Sequence, residues 1–220
     1  MGLRDTLLRL AMEEADGKTR DEREFTYYGR VNPETIQDEL AKAKSSERQE
    51  QWKVQVDIDH QVAEGLVQEY AGEVRIRKSE RSDGETTYTL CIKSWRPHGD
   101  SAKREAEVEV SADMFELLSQ FATAGMRKTR YHFPREDGLV WEVDIYDQRE
   151  GSDQLRWCKI DLEVPSDREP PTDFPITISD VVNGDYRKRT DEERALVKRL
   201  MDEAFVLPNP NTIARKSPDA

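Results

Sequence analysis

The alternation of apolar and polar positions predicts short antiparallel strands through the middle of the chain. Between about Gly72 and Pro165, apolar residues such as Val74 and Ile76 recur at every second position, which is the period of a strand with one buried face. Turn sequences such as Asp83-Gly84 separate the segments. We predict strands at 73–79, 86–94, 102–110, 126–133, 139–146 and 155–164.

Segments with helical spacing flank and interrupt this series. Leucines three to four residues apart predict a short amphipathic helix at 3–14. Asn32-Pro33-Glu34 predicts the start of a helix that runs to about Ser45. Ser111 is the predicted cap of a helix that ends near Gly125, and a capping box at 190–193 begins the last helix. Two further strands are predicted at 24–31 and 52–58.

The length of 220 residues suits one domain with additional segments at its ends. Four Trp, seven Tyr and six Phe provide material for a core and argue against wholesale disorder. We divide the chain into an N-terminal helix and linker (1–20), a central domain (21–189), a C-terminal helix (190–206) and a disordered tail (207–220).

The formal net charge of −12 argues against a general nucleic-acid-binding surface, because phosphate backbones require a basic face. A local basic pocket stays compatible with this charge, since charges beyond about 8–10 Å are largely screened. Two cysteines suggest neither a disulfide framework nor a thiolate metal site. No apolar run approaches the ~20 residues of a membrane span, and the N-terminus is not typical of a signal peptide. We expect a cytoplasmic protein.

One face of the predicted strands is densely charged, and its bases and acids fall on different strands. Bases dominate 75–93 and 128–130, whereas acids dominate 105–109 and 142–163. This division suits an anion held by Arg and Lys beside a divalent cation held by carboxylates. The alternative is a sheet with one solvated face, which is common among antiparallel sheets.

Seven motifs follow one another along this region. They are Val74-Arg-Ile-Arg-Lys78, Tyr88-Thr-Leu-Cys-Ile-Lys93, Lys103-Arg-Glu-Ala-Glu-Val-Glu109, Lys128-Thr-Arg-Tyr131, Trp141-Glu-Val-Asp144, Asp161-Leu-Glu-Val-Pro165 and Asp180-Val-Val-Asn-Gly-Asp-Tyr186. In this order they resemble the CYTH superfamily, the triphosphate tunnel metalloenzymes. The resemblance implies an α+β fold, in which an eight-stranded antiparallel β-barrel forms a tunnel with a charged interior and helices pack outside. Members hydrolyse inorganic triphosphate, thiamine triphosphate or RNA 5′-triphosphates, and some cyclise ATP.

The resemblance also implies functions for individual residues. By position, the substrate-binding residues are Arg75, Arg77, Lys93, Lys103, Lys128 and Arg130. The implied metal ligands are Glu105, Glu107, Glu142, Asp144, Asp161 and Glu163. The implied catalytic residues are Glu22, Glu24 and Glu107. The expected metal is Mg²⁺ or Mn²⁺, the expected partner is a small triphosphate-bearing anion without nucleic acid or membrane, and a homodimer stays open.

The sequence departs from the family pattern on its first strand. The family opens with Glu-x-Glu-x-Lys, and the nearest stretch here is Glu22-Arg-Glu24-Phe-Thr26, with Thr in place of Lys. A competing alignment at Gln55-Val-Asp57-Ile-Asp59 also lacks the Lys. We prefer the first, because the predicted helix and strand that follow then occur in the family's order. Two functions therefore stay open: metal-dependent triphosphate hydrolysis, and binding of a nucleotide or polyphosphate without turnover.

Overall fold

The computed structural model describes most of the central part of the chain. The described residues are 22–54, 72–94, 104–148, 155–165, 168–169, 171, 173–184, 188–203 and 206–207. The predicted helix at 3–14, Lys103 and the chain after Leu207 lie outside them.

An antiparallel sheet forms the framework of the described residues. Its strands are β1 (Glu22–Val31), β2 (Ser45–Val54), β3 (Gly72–Arg81), β4 (Thr86–Ser94), β5 (Arg104–Glu109), β6 (Ala122–Pro134), β7 (Val140–Tyr146), β8 (Arg156–Pro165), β9 (Ser179–Asn183) and β10 (Val206–Leu207). The helices in the described part are α1 (Gln37–Leu40), α2 (Ala112–Ser119) and α3 (Asp191–Glu203). The predicted α+β class with an antiparallel sheet is confirmed.

The sheet is open in the described part of the chain. Its strand order is β5-β4-β3-β2-β6-β7-β8-β1-β9, and β10 pairs with β6. A barrel requires its two edges to pair, and among the described strands no pairing joins β5 to β9. The closed eight-stranded barrel is therefore not confirmed, and the sheet has ten strands instead.

Two separate hydrophobic clusters cover one face of this sheet. The larger cluster lies over β1, β7 and β8, where Trp141, Ile160 and Leu162 are almost fully buried. Leu40 of α1 and Ile36, which directly precedes this helix, belong to the same cluster. The smaller cluster lies over β2, β3 and β4 and is covered by α2; its buried members are Trp52, Val54, Ile76, Leu90, Phe115, Leu118, Ala122 and Leu207. Burial of these side chains supplies the main driving force for folding.

The second strand differs most from its prediction. The helix predicted to reach Ser45 is only the four residues of α1, and the strand predicted to begin at Trp52 begins at Ser45 instead. Residues 55–58 of that predicted strand lie outside the described residues. Polar side chains on both faces of β2 hide the strand period. On the face that carries the two clusters, Arg48 bonds Asp147, and Glu50 bonds Arg127. Ion pairs with residues distant in the chain therefore stabilise this strand, although its residues 45–51 have no apolar side chain.

Two of the three helix starts predicted from capping residues are confirmed, at Ser111 and Thr190, whereas α1 begins at Gln37 rather than directly after Asn32. The Ser111 hydroxyl accepts a hydrogen bond from the backbone N–H of Met114 at 3.2 Å. At α3, the Thr190 N–H donates to Glu193, and the Glu193 N–H donates to the Thr190 hydroxyl at 3.2 Å. These bonds satisfy backbone donors that the first helical turn leaves without partners.

Two predicted boundaries are wrong. The helix capped by Ser111 ends at Ser119, and Gly125 lies inside β6 rather than at a helix end. Leu207, predicted to begin the tail, is buried in β10. In both places the strand is fixed by long-range contacts: Gly125 pairs with both Trp52 and Leu207.

Gly125→Ala should destabilise the protein by about 1–3 kcal/mol, because core overpacking carries that cost. A Cβ atom at this position would come within 2.4 Å of the Trp52 ring. Urea unfolding followed by tryptophan fluorescence measures the change. The exposed neighbour Ala124 provides the control, since Ala124→Ser should leave the midpoint within error. An unchanged midpoint for Gly125→Ala would show that the ring moves away at no cost.

Candidate functional site

The register of the strands brings the predicted site residues to the face opposite the hydrophobic clusters. Directly paired residues of antiparallel strands share a face. Arg130 on β6 pairs with Asp144 on β7, which pairs with Lys159 on β8. We call this surface the polar face. Its charged and hydroxyl-bearing residues with described side chains include Glu24, Thr26, Tyr28, Arg75, Arg77, Glu107, Lys128, Arg130, Glu142, Asp144, Tyr146, Lys159, Asp161 and Glu163.

Three predicted residues are on the same strands, but only their backbones are described. By register, Glu22 pairs with Pro165, and Lys93 pairs with Glu105. All three alternate with residues of the opposite face and so belong to the polar face.

A buried ion cluster lies at the centre of the polar face. The Lys128 ammonium contacts Asp144 Oδ2 at 2.5 Å, and the Arg130 guanidinium donates to both Asp144 oxygens at 2.7 and 2.9 Å. Lys128 is 5% exposed and Asp144 is 1% exposed. Arg130 also contacts Glu142 at 2.5 Å. Two cations are therefore fixed in place by one buried carboxylate.

This environment shifts the ionisation of both partners. Burial alone would raise the pKa of Asp144, but the attraction of Lys128 and Arg130 outweighs it and holds that pKa well below its usual range. Burial lowers the pKa of Lys128 to about 8, against the attraction of Asp144 and with the repulsion of Arg130. The arrangement keeps Asp144 ionised wherever the protein is folded at moderate pH.

A second cluster joins β8 to β1. The Lys159 ammonium lies 2.5 Å from Asp161 Oδ2 and 3.9 Å from Glu24 Oε1. The Thr26 hydroxyl donates to the other Asp161 oxygen at 2.7 Å. Burial would lower the pKa of Lys159, yet Asp161 and Glu24 raise it overall. The sequence analysis assigned no function to Lys159, because acidic residues dominate its strand.

Arg77 forms the third contact of the polar face. Its guanidinium reaches across β4 and donates to both oxygens of Glu107 at 3.1 Å. Its Nε atom is buried, and no acceptor among the described residues bonds it. Arg75, two residues earlier, lies opposite Cys91 of β4, and Cys91 lies opposite Glu107 of β5.

These contacts change the predicted arrangement of charge. Bases and acids do dominate different strands, but these strands are neighbours and their side chains meet as ion pairs, and β8 contains the pair of Lys159 with Asp161. Within the described part of the chain, no group of three or more His, Cys, Asp or Glu side chains is close enough to hold a metal. Carboxylate oxygens are nevertheless the donors that Mg²⁺ and Mn²⁺ prefer, and the register puts Glu24 opposite Glu163, and Glu142 opposite Asp161.

Aromatic side chains close one end of the polar face. The Trp157 and Tyr146 rings stack with centroids 4.1 Å apart, and Tyr28 stacks on Trp157 at 5.8 Å. Leu196 of α3 packs against this group. Sequence analysis missed this cluster, because Trp157, Tyr146 and Tyr28 are far apart in the chain and only strand pairing brings them together.

A pocket of about 290 Å³ lies mainly on the opposite side of β2, β3 and β6. Arg48, Glu50, Lys78, Glu80 and Arg127 line it. Its charged groups form their own ion pairs, such as Lys78 with Glu80 at 2.5 Å. The pocket is separate from the predicted site residues, and we do not assign the function to it.

Comparison with solved structures finds several similar proteins, including the three that follow. The PH1819 protein from Pyrococcus horikoshii has a TM-score of 0.44 at 18% identity, covering 89% of this chain and all of the other. The inorganic triphosphatase NE1496 has a TM-score of 0.40 at 18% identity, covering 80% of this chain and 93% of the other. HpAC1 from Hippeastrum, described as having a dominant triphosphatase activity, has a TM-score of 0.42 at 13% identity, covering 89% of this chain and 95% of the other.

Two of these three proteins are described as triphosphatases. Comparison with protein-family profiles and with curated protein sequences gives no match. Among the described helices, none is long and apolar enough to cross a membrane.

Asp144→Asn should destabilise the protein by about 3–5 kcal/mol, because it leaves buried cations without their counter-charge. The loss should depend on pH. A carboxyl whose pKa is depressed in the folded state stabilises fully above its unfolded pKa of about 3.9, and this contribution is lost as pH falls from there through the folded pKa. The stability difference between wild type and variant should therefore be largest above about pH 5 and should narrow in acid.

Urea unfolding at a series of pH values tests this expectation. Asp173→Asn is the matched control, since Asp173 also pairs with an arginine but is 73% exposed. Exposed ion pairs contribute about 0–1 kcal/mol, so its effect should be small at every pH. A variant of Asp144 as stable as the control would contradict the importance of the buried cluster.

Proposed function

We propose that the polar face binds the phosphate chain of a triphosphate-bearing compound and hydrolyses it with the help of Mg²⁺ or Mn²⁺. The observation that carries the proposal is the concentration of poorly exposed cations on one face of an acidic protein. Lys128, Arg130 and Lys159 are there together with Arg77, whose buried Nε atom has no acceptor among the described residues. A phosphate oxygen is the acceptor that such a donor suits.

The basic residues would bind the substrate. A guanidinium presents its donors in a planar fork that matches phosphate oxygens, and an ammonium acts as a compact point charge. In the proposal, Arg75 and Arg77 hold one part of the phosphate chain, and Lys128 and Arg130 hold another. By their positions in the sequence, Lys93 and Lys103 are proposed as further substrate-binding residues. Binding would exchange the Arg77 contact with Glu107 for a contact with phosphate.

The carboxylates would hold the metal. Glu24, Glu142, Asp161 and Glu163 lie on three adjacent strands of the polar face, and their oxygens suit a hard divalent cation. Glu105 and Glu107 provide carboxylates on the other side of the face. Asp144 fits this task less well, because its two oxygens already accept from Lys128 and Arg130. A bound divalent cation supplies neutralisation of phosphate charge and a more acidic water.

The chain's own residues would then orient the reaction. Positioning and charge neutralisation account for most of the acceleration of phosphoryl transfer, so the protein needs little covalent chemistry. We assign Glu22, Glu24 and Glu107 to orienting the attacking water and accepting its proton. The cations on β3 and β6 would stabilise the charge that develops on the departing phosphate.

A non-catalytic binding module is the second candidate. The observation that favours it is that Thr26 of β1 stands at the position of the family's Lys. The Thr26 hydroxyl donates a hydrogen bond to Asp161. Phosphate release from tripolyphosphate, ATP and thiamine triphosphate, with and without Mg²⁺ or Mn²⁺, separates the two candidates. Release supports the enzyme, whereas binding without release supports the module. If the protein neither binds nor hydrolyses these compounds, the polar face is a solvated sheet face and both candidates are wrong.

Arg77→Ala should weaken tripolyphosphate binding by about 2–5 kcal/mol, the cost typical of losing a desolvated charged contact. Isothermal titration calorimetry measures the change. Arg127→Ala is the matched control, because Arg127 pairs with Glu50 on the face away from the polar face. Equal affinities for the two variants would contradict the proposed binding surface.

Removal of divalent metal should abolish phosphate release and leave the fold intact. We expect the hydrophobic clusters and the buried ion cluster to be stable without metal. The melting temperature in EDTA should therefore stay within a few degrees of that in buffer. Adding Mg²⁺ or Mn²⁺ should restore release. Phosphate release that persists in EDTA would show that the carboxylates do not act through a metal.

A further inference from the structure

Lys159 is a cation of the polar face that the family pattern does not explain. It projects from β8 between two acidic residues, with its ammonium 2.5 Å from Asp161 and 3.9 Å from Glu24. The side chain is 22% exposed, so the amine is largely sheltered and still open to the surface. The contacts hold it over the boundary between β8 and β1.

The position of the ammonium relates it directly to Thr26. Thr26 pairs with Asp161 in the register, and Lys159 pairs with Tyr28, the next residue of β1 on this face. Thr26 donates to Asp161 Oδ1, and Lys159 donates to Asp161 Oδ2. Two side chains from adjacent strands therefore hold one carboxylate, and the Lys159 amine lies beside the short side chain of Thr26.

Electrostatics gives this location a specific importance. Glu24, Asp161 and Glu163 are neighbours on β1 and β8, and without a cation they would repel a polyanion. Thr26 ends at its γ atoms and brings no charge. A positive charge beside these carboxylates must therefore come from another position.

The other cations of this region are less well placed to supply that charge. Lys128 and Arg130 on β6 are held by Asp144. Arg30, which shares this face of β1, pairs with Trp157 and lies four residues along the strand from Thr26. Lys159 contacts the carboxylate that Thr26 also contacts, so its charge is at the required place.

We propose that Lys159 binds a phosphate oxygen of the substrate and supplies, from β8, the amine that position 26 lacks. Asp161 holds the ammonium in place for this contact. The inference rests on the proposed function, because it assigns a residue to the same polyphosphate site. According to this inference, the positive charge that the family carries at position 26 of β1 is supplied here by the neighbouring strand β8.

A purely structural Lys159 leads to a different expectation. If the amine only neutralised Asp161 and Glu24, its loss would lower stability, and the affinity of the folded protein for polyphosphate would fall only a few-fold through screened repulsion from those carboxylates. Affinity and stability must therefore be measured on the same variants.

The experiment compares wild type with three variants. Lys159→Met removes the charge at similar length, Thr26→Lys/Lys159→Thr returns the amine to β1, and Lys78→Met is the control from the opposite face. The Cβ and Cγ atoms of the lysine introduced at position 26 can occupy the space of the threonine side chain. Tripolyphosphate binding is measured by calorimetry and stability by thermal unfolding.

Lys159→Met should raise the dissociation constant roughly 30-fold, the size expected for a lost desolvated charge contact. Lys78→Met should bind as wild type does. The double variant should recover most of the lost affinity, because it restores a cation beside Asp161. If Lys159→Met is unfolded at the assay temperature, Lys159→Gln, which keeps a polar group beside Asp161, takes its place: a similar loss of affinity supports the inference, and wild-type affinity overturns it.

Three outcomes would overturn the inference, and only the last of them also contradicts the proposed function. If wild type and folded Lys159→Met bind tripolyphosphate equally well, Lys159 does not contact the substrate. The proposed function is unaffected by that result. A folded double variant that binds far more weakly than wild type shows that an amine on β1 cannot substitute, and it overturns the inference. Wild type that binds no polyphosphate contradicts the proposed function and the inference together.

Discussion

The buried contact of Asp144 with Lys128 and Arg130 is the interaction on which the polar face depends. Taking charges out of water is costly, and well-packed apolar residues in place of a buried ion cluster are often equally stable or better. A gain in folding stability therefore does not explain why the protein has this buried ion cluster. Its physical effect is to fix two cations at the centre of a sheet face, with their donors directed and their side-chain freedom already lost. Such preorganisation reduces the cost of binding an anion.

The same constraint explains the organisation of the sheet around it. Apolar side chains cover the opposite face in two clusters, over β1, β7 and β8 and over β2, β3 and β4. Between them, residues 45–51 of β2 carry polar side chains on both faces and are held by strand pairing and ion pairs, and only Trp52 and Val54 at the end of the strand join the smaller cluster. Gln49, which pairs with both Ser79 and Lys128, is 1% exposed. The strand thus joins the basic residues of β3 to those of β6 within one continuous surface.

An acidic protein can present such a surface because electrostatic interactions are local. The net charge of −12 is spread over the whole chain, whereas a bound anion interacts mainly with groups within a Debye length. Cations of the polar face are accompanied by carboxylates, as Arg77 is by Glu107 and Lys159 by Asp161. In the proposed function, an anion would therefore bind by replacing a carboxylate, and a divalent cation would bind the carboxylate that is released.

The sequence by itself determined the class of fold, most strands and the face on which the charged residues lie. Alternation is a local property, so it identified β3, β4, β7 and β8 closely, and capping residues identified the starts of α2 and α3. It could not identify β2, whose polar residues are paired only in the tertiary structure, or place Gly125 beneath Trp52. The partners within the site were likewise decided by strand order. That Asp144 holds two cations, and that Lys159 lies beside Thr26, depends on contacts between residues 14 to 135 positions apart, which no local pattern encodes.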